Sequence, residues 1–272
     1  MRISSPANPA IKHVVKLRRR SHRDELGLMI VEGYREIKRA LDNGHMPREL
    51  FFCRDCFQGG NEDELLRRSG EAGAELLECT QAVFDKIAYR DRPEGLLAVA
   101  PQVRRTLDSF SPPERSLLVV AESIEKPGNL GTILRSSDAA GVHAVLVCDR
   151  CTDVNNPNVV RASIGTLFSI PVIETSSEEC LVWLKKHGIR IVAASPHAER
   201  FYTEVDFTQP TAIVLGTEQY GLSARWMDRA HERVRIPMLG QADSLNVAAA
   251  TTILLYEAVR QRGGGQRSPS DK

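Results

Sequence analysis

The second half of the chain carries four short, continuously apolar runs: residues 116–122 (SLLVVAE), 144–148 (AVLVC), 189–194 (IRIVAA) and 211–216 (TAIVLG). Runs of this length, rich in branched side chains and without polar alternation, suit strands buried on both faces of a parallel sheet. Helical segments lie between them. A last short strand is predicted at 234–237, then a long helix over 244–262 that is rich in small residues. The first hundred residues alternate differently. Asn8 caps a predicted helix with Pro9 at its first position. Helices near 33–43, 62–69 and 81–88 then alternate with strands near 49–53, 75–78 and 95–100, the pattern of a small α/β sandwich. Between the halves, residues 101–115 carry Pro101, Pro112 and Pro113 among polar residues and read as a linker.

Length agrees with this division, because 272 residues exceed one typical domain of ~100–200 residues. The expected domains are 1–100, the linker 101–115, a second domain at 116–262 and a disordered tail at 263–272. No apolar run reaches the ~18 residues of a membrane span, and the first residues lack the apolar core of a secretory signal, so the chain is read as cytoplasmic. Its six cysteines then read as reduced thiols. Cys53/Cys56 and Cys148/Cys151 have paired spacing, but the pairs lie far apart and Cys148 ends a buried strand, so no metal site is expected. The net charge of +1 gives no global field for nucleic acid. A local patch does exist: Lys12, Lys16, Arg19, Arg20 and Arg23 fall near one another at helical spacing, as an RNA contact or as a solvated helix face.

Candidate chemistry follows the strands of the second half, where open α/β sheets gather ligands. Neither a Gly-x-Gly-x-x-Gly nor a phosphate loop is present. Instead, 125–135 (EKPGNLGTILR) opens a helix with a Pro-Gly-Asn turn and places Arg135 about one and a half turns in, among apolar neighbours. An arginine there is expected to meet an anion or a carboxylate. The second segment, 215–222 (LGTEQYGL), runs from apolar strand to glycine, carboxylate and glycine, allowing close backbone approach to a ligand. The third, 236–246 (IPMLGQADSLN), opens the last helix; Asp243 and Ser244 are caps there, which leaves Asn246 unexplained.

In this order the three segments resemble the motifs of the SpoU (TrmH-like) family of SPOUT RNA methyltransferases: P-G-N-L-G-T-I-L-R, L-G-T-E-x-x-G-L and I-P-M-x-G-x-A-D-S-L-N-V. The first half resembles the L30e-like RNA-binding domain that accompanies many members, including I-V-E-G-Y-R-E-I at 30–37. Among members the likeness is strongest to bacterial large-subunit ribosomal RNA enzymes of the RrmH type. The resemblance implies an α/β fold with a trefoil-knotted C-terminal methyltransferase domain and a smaller L30e-like domain. It further implies a homodimer that transfers a methyl group from S-adenosylmethionine to a ribose 2′-hydroxyl of structured RNA, most simply large-subunit ribosomal RNA. Gly216, Ile236 and Leu245, with Leu215 and Thr217, are the implied cofactor pocket. Arg135 is the implied proton-handling residue. Its permanent charge suits a phosphate clamp better than a base. Asn129, Glu218, Ser244 and Asn246 are the implied polar partners, and Lys12–Arg23 becomes an RNA contact. Three rivals remain at this level: a transfer-RNA target, a non-catalytic RNA-binding or ribosome-assembly protein, and a small-molecule enzyme on a doubly wound fold.

Overall fold

A computed structural model describes residues 2–263; the tail assigned to 263–272 lies outside them from residue 264 onward. The chain divides into two units. One comprises the chain up to Val103 together with Asp153–Ser169, and the other comprises Arg104–Thr152 and the chain from Ile170.

In the first unit, Asn8 caps α1 (Pro9–Lys16), its side chain accepting from the Ala10 amide at 2.9 Å with Pro9 in the first turn. The chain breaks at 17–19 and restarts as α2 (Arg20–Leu26), ended by Gly27 in the left-handed region. The strands β1 (Leu28–Glu32), β2 (Glu49–Phe52), β3 (Glu75–Glu78) and β4 (Leu96–Pro101) form a sheet ordered β1-β4-β2-β3. The helices α3 (Tyr34–Asp42), α4 (Glu62–Glu71) and α5 (Gln81–Ile87) connect them. Ile11, Val14 and Leu17 pack with Ile30, Phe51, Phe84 and Leu97 as one buried cluster.

The second unit holds β5 (Leu117–Glu122), α6 (Pro127–Ala139) and β6 (Ala144–Cys148). The chain then contributes α7 (Pro157–Ala162) to the first unit. It returns as β7 (Val172–Thr175), α8 (Ser177–Lys186), β8 (Arg190–Ala194), β9 (Arg200–Phe201), β10 (Thr211–Leu215), α9 (Ala224–Arg229), β11 (Glu232–Arg235) and α10 (Val247–Gln261). Seven strands lie in the order β7-β6-β5-β10-β8-β11-β9, every pairing parallel. Every residue of β5, β6 and β10 is buried, which accounts for their unbroken apolar sequence. Because the sheet is parallel and β5, β10, β8 and β11 are neighbours, the loops leaving all four emerge at one edge.

The structure departs from expectation at several places. Residues 153–169 pack with the first unit, where the sequence reading had assigned them to the second domain. The strand expected at 234–237 covers Glu232–Arg235. The last helix begins at Val247 because Asn246 is its cap and 244–246 stay outside it. The strands β1, β7 and β9 were not anticipated.

Candidate active site

Pro127 opens α6 at its first turn, which places Asn129 near the start of the helix and Arg135 further along it. Glu122, the last residue of β5, is 5% exposed and accepts from the Ser223 amide at 2.9 Å and the Ser223 hydroxyl at 2.6 Å. A buried carboxylate with two donors is a stable tie, and this one fastens the end of the loop after β10 to the end of β5. That residue was not singled out in the sequence. Its signal was a carboxylate closing an otherwise apolar strand.

The loop after β10 folds on itself. Thr217 and Gly221 exchange two backbone hydrogen bonds, each 3.0 Å, and Gly221 sits at φ +67°. Gly216 lies beneath this turn: a Cβ there would stand 2.2 Å from the Gly221 carbonyl oxygen. Only glycine permits that approach. Residues 215–222 form one wall of a cavity of about 480 Å3, closed by Ile236, Met238 and 243–245 from the third segment and by 194–197 after β8. All five expected cofactor residues, Leu215, Gly216, Thr217, Ile236 and Leu245, line it. The 194–197 wall was not foreseen, because no motif marks it.

Beside this cavity the three segments meet in a polar cluster. Glu218 accepts at Oε1 from Asn129 Nδ2 (2.8 Å) and Asn246 Nδ2 (2.7 Å), and Asn246 Nδ2 also lies 3.1 Å from Asn129 Oδ1. Lys126 pairs with Glu218 Oε2. The Lys126 ammonium, then the Asn129 and Asn246 amides, hold the Glu218 carboxyl below its ordinary range, and Glu218 in turn raises the Lys126 ammonium. The Asn246 side chain also works backwards: its Oδ1 accepts from the Ala248 and Ala249 amides, capping α10. Ser136 Oγ and Thr252 Oγ1, 2.7 Å apart, join α6 to α10.

Arg135 is exposed and its side chain makes no hydrogen bond or ion pair among the described residues, so of the anion or carboxylate expected for it no carboxylate of the described chain is the partner. Ser244 lines the cavity and bonds Asp243 Oδ1 at 3.2 Å, with no direct link to Glu218. The expected basic face is not one helix face. Lys12 and Lys16 lie exposed on α1, Arg19 precedes α2, and Arg20 pairs with Asp24 at 3.4 Å. Arg23 is withdrawn from it. That side chain is 2% exposed and pairs with Asp153 at 2.5 Å, so it faces the interior and is not a surface cation.

Comparison with known proteins agrees with this architecture. Residues 116–256 match the SpoU rRNA Methylase family and residues 8–98 match the MRM3-like substrate binding domain. The chain is 34% identical over 253 residues to the 23S rRNA (uridine(2479)-2′-O)-methyltransferase of Streptomyces viridochromogenes, covering 91% of this chain and 88% of that one. An RNA 2′-O ribose methyltransferase crystal structure superposes with TM-score 0.86 at 44% identity, covering 96% of this chain and 99% of the other. The AdoMet-bound rRNA methyltransferase of Sinorhizobium meliloti superposes with TM-score 0.88 at 31% identity, covering 96% and 97%.

Proposed function

From the premise that this chain belongs to the SpoU rRNA methylase family, we propose that it transfers a methyl group from S-adenosylmethionine to a ribose 2′-hydroxyl of large-subunit ribosomal RNA. The observation that carries this reading is the Asn129–Glu218–Asn246 cluster on the rim of a glycine-floored cavity. The cavity fits the cofactor. At about 480 Å3 it falls within the ~300–1,000 Å3 of small-molecule sites. Its walls join apolar side chains (Leu215, Ile236, Leu245, Val247) to exposed backbone turns and to the Asp243 carboxylate, a suitable neighbour for a cationic ligand. Bound there, the cofactor supplies a methyl group already activated by a sulfonium centre.

What remains for the protein is to position the ribose and manage charge. Asn129 and Asn246 are oriented by the ionised Glu218, whose two oxygens are divided between the amides and Lys126. Arg135, on the same helix as Asn129 and with its side chain unpaired among the described residues, is available to an RNA phosphate. A guanidinium stays protonated, so its contribution is to stabilise negative charge on the 2′-oxygen, while the hydroxyl proton passes to water as the methyl group leaves the sulfonium. Leu239, 97% exposed beside the cavity loop, and the exposed Tyr220 and Tyr256 support a homodimer in which a second copy covers these side chains. The knotted path of the C-terminal chain and a cytoplasmic site of action belong to the same reading.

The test is methyl transfer from radiolabelled S-adenosylmethionine to unmodified ribosomal and transfer RNA, followed by alkaline hydrolysis. A 2′-O-methyl group blocks cleavage at its linkage, so label belongs in alkali-resistant dinucleotides from ribosomal RNA. In Arg135→Ala it is expected to fall about 10²–10³-fold, the scale of one lost charge-stabilising donor. Label in single nucleotides, or in transfer RNA alone, overturns the assignment.

A further inference from the structure

A second cavity, of about 830 Å3, lies wholly within the first unit and takes no part in the site above. Its walls are the first turn of α3, the chain leading into α4, the 90–94 loop, and the end of α7 with the residues just after it. Those walls are tied together. Arg90 donates to Glu36 Oε1 at 2.7 Å and to the Glu32 carbonyl at 3.2 Å, and pairs with Glu94. The other Glu94 oxygen accepts from the Tyr34 amide at 3.3 Å. Glu62, 6% exposed, accepts from the Gln58 and Gly59 amides at 3.1 and 2.7 Å. The ion pairs of the lining are thus internal to it.

Three cations are left over. Arg35, Arg92 and Arg161 line the cavity, are exposed, and their side chains make no hydrogen bond or ion pair among the described residues. They come from three separate segments: α3, the 90–94 loop and α7. Asp91 is the one exposed carboxylate against them. A second feature points to a ligand. Ile164, also in the wall, sits at φ +54°, a conformation a β-branched residue rarely adopts. It is held there from both sides. Its carbonyl accepts from Arg39, and Gly165 follows at φ +77°, where a Cβ would stand 2.9 Å from Glu36 Cα. Strain fixed this firmly gathers at ligand sites.

We propose that this cavity receives one unstacked nucleotide of the substrate RNA, with Arg35, Arg92 and Arg161 on the phosphates and the base against Tyr34 and Ile164. Sequence-selective RNA recognition works on splayed-out bases stacked on aromatic rings, and Tyr34 is the half-buried aromatic of this wall. Guanidinium groups are the forked donors that match phosphate, and their spread over three segments suits a strand crossing the opening better than a single small anion. Asp91 is an acceptor for a base amino group. The inference rests on the RNA reading above and adds a place on the first unit where the substrate is gripped.

The test uses the full chain and unmodified 23S ribosomal RNA, measuring RNA binding and methyl transfer separately. Arg35→Gln, Arg92→Gln and Arg161→Gln together are expected to raise KM for RNA at least about tenfold, with the salt slope of binding reduced by about 2, at ~0.7 per phosphate contact. KM for S-adenosylmethionine and kcat at saturating RNA stay unchanged. Gln58→Trp, which narrows the opening without changing charge, is expected to raise the same KM. Unchanged KM and salt slope in the folded triple variant, while the unaltered protein methylates normally, overturn the inference alone. Loss of RNA binding in the triple variant, in a protein that methylates no RNA, overturns the methyltransfer reading and keeps the inference. Inorganic phosphate displacing RNA at micromolar concentration marks a small-anion site and overturns the RNA commitment.

Discussion

Glu218 is fixed by three donors from two other segments, and this makes its protonation state a handle on the site. Its folded pKa is lowered from the ordinary 4.5, first by Lys126 and then by Asn129. For a carboxylate so shifted, whatever the network adds to the folded site is present above the unfolded value and is lost as pH falls through the lowered one. The acid limb of kcat/KM assigned to this group is therefore expected below 4.5. Lys126→Met removes the leading cause and is expected to move that limb upward, toward the ordinary value. A pH–rate profile of both proteins checks this, and an identical acid limb in both refutes the role of Lys126. Arg135 behaves oppositely in a stability assay. It has no described partner to lose, so Arg135→Ala is expected to leave thermal unfolding within about 0.5 kcal/mol of the parent, the usual range for surface changes. A large loss of stability would mean that its role is structural.

At the level of elements, Asn246 carries two functions through the two ends of one amide. Its oxygen caps α10, and its nitrogen reaches Glu218 and Asn129. The substitutions separate them. Asn246→Asp keeps an N-cap acceptor but turns a donor into a second carboxylate facing Glu218, so the fold should survive and methyl transfer should collapse. Asn246→Ala removes the cap as well and should cost about 1 kcal/mol in denaturant unfolding. Activity retained in Asn246→Asp would exclude the polar cluster from the reaction. Gly216→Ala tests the neighbouring element. A Cβ 2.2 Å from the Gly221 carbonyl forces the turn apart, and S-adenosylmethionine affinity, read by calorimetry, is expected to fall at least about tenfold, or 1.4 kcal/mol. The residues of this cluster were legible because the first two segments follow apolar strands, the third follows a strand of the same sheet, and a parallel sheet gathers such loops at one edge. Asn246 stood out because capping by Asp243 or Ser244 left it unexplained, whereas in the structure Asn246 is itself the cap. Lys126 and Glu122 were not legible because each acts through a partner more than ninety positions away, and the 194–197 wall carries no local pattern to mark it.

At the scale of the whole molecule, the sequence showed two α/β units, and the segment 153–169, which the family match places with the second, packs with the first for a physical reason. Val154, Val159, Val160, Leu167 and Phe168 form an apolar set in 153–169 that would suit a helix covering the parallel sheet equally well. The choice is made instead by long-range contacts. Arg23 and Asp153 lie 130 positions apart, and no periodicity records their pairing. The same pair explains why Arg23 looked like a member of a basic face: the helical spacing was real within each segment, but the break at 17–19 turns Arg23 inward, where it also donates to the Leu17 and Arg18 carbonyls. Its partner is equally buried, at 5% exposure, and accepts from the Asn155 amide. Removing one half of such a pair leaves an uncompensated buried charge, so Arg23→Ala is expected to cost about 3–5 kcal/mol in urea unfolding. An apolar replacement of both, Arg23→Met with Asp153→Leu, should recover much of that loss, because the desolvation cost of both ions disappears together. RNA binding gives the opposite discrimination. If Arg23 were a surface phosphate contact, the double variant would fold yet bind RNA with a shallower salt dependence. If it is the interior tie described above, the double variant should fold, bind and methylate like the parent.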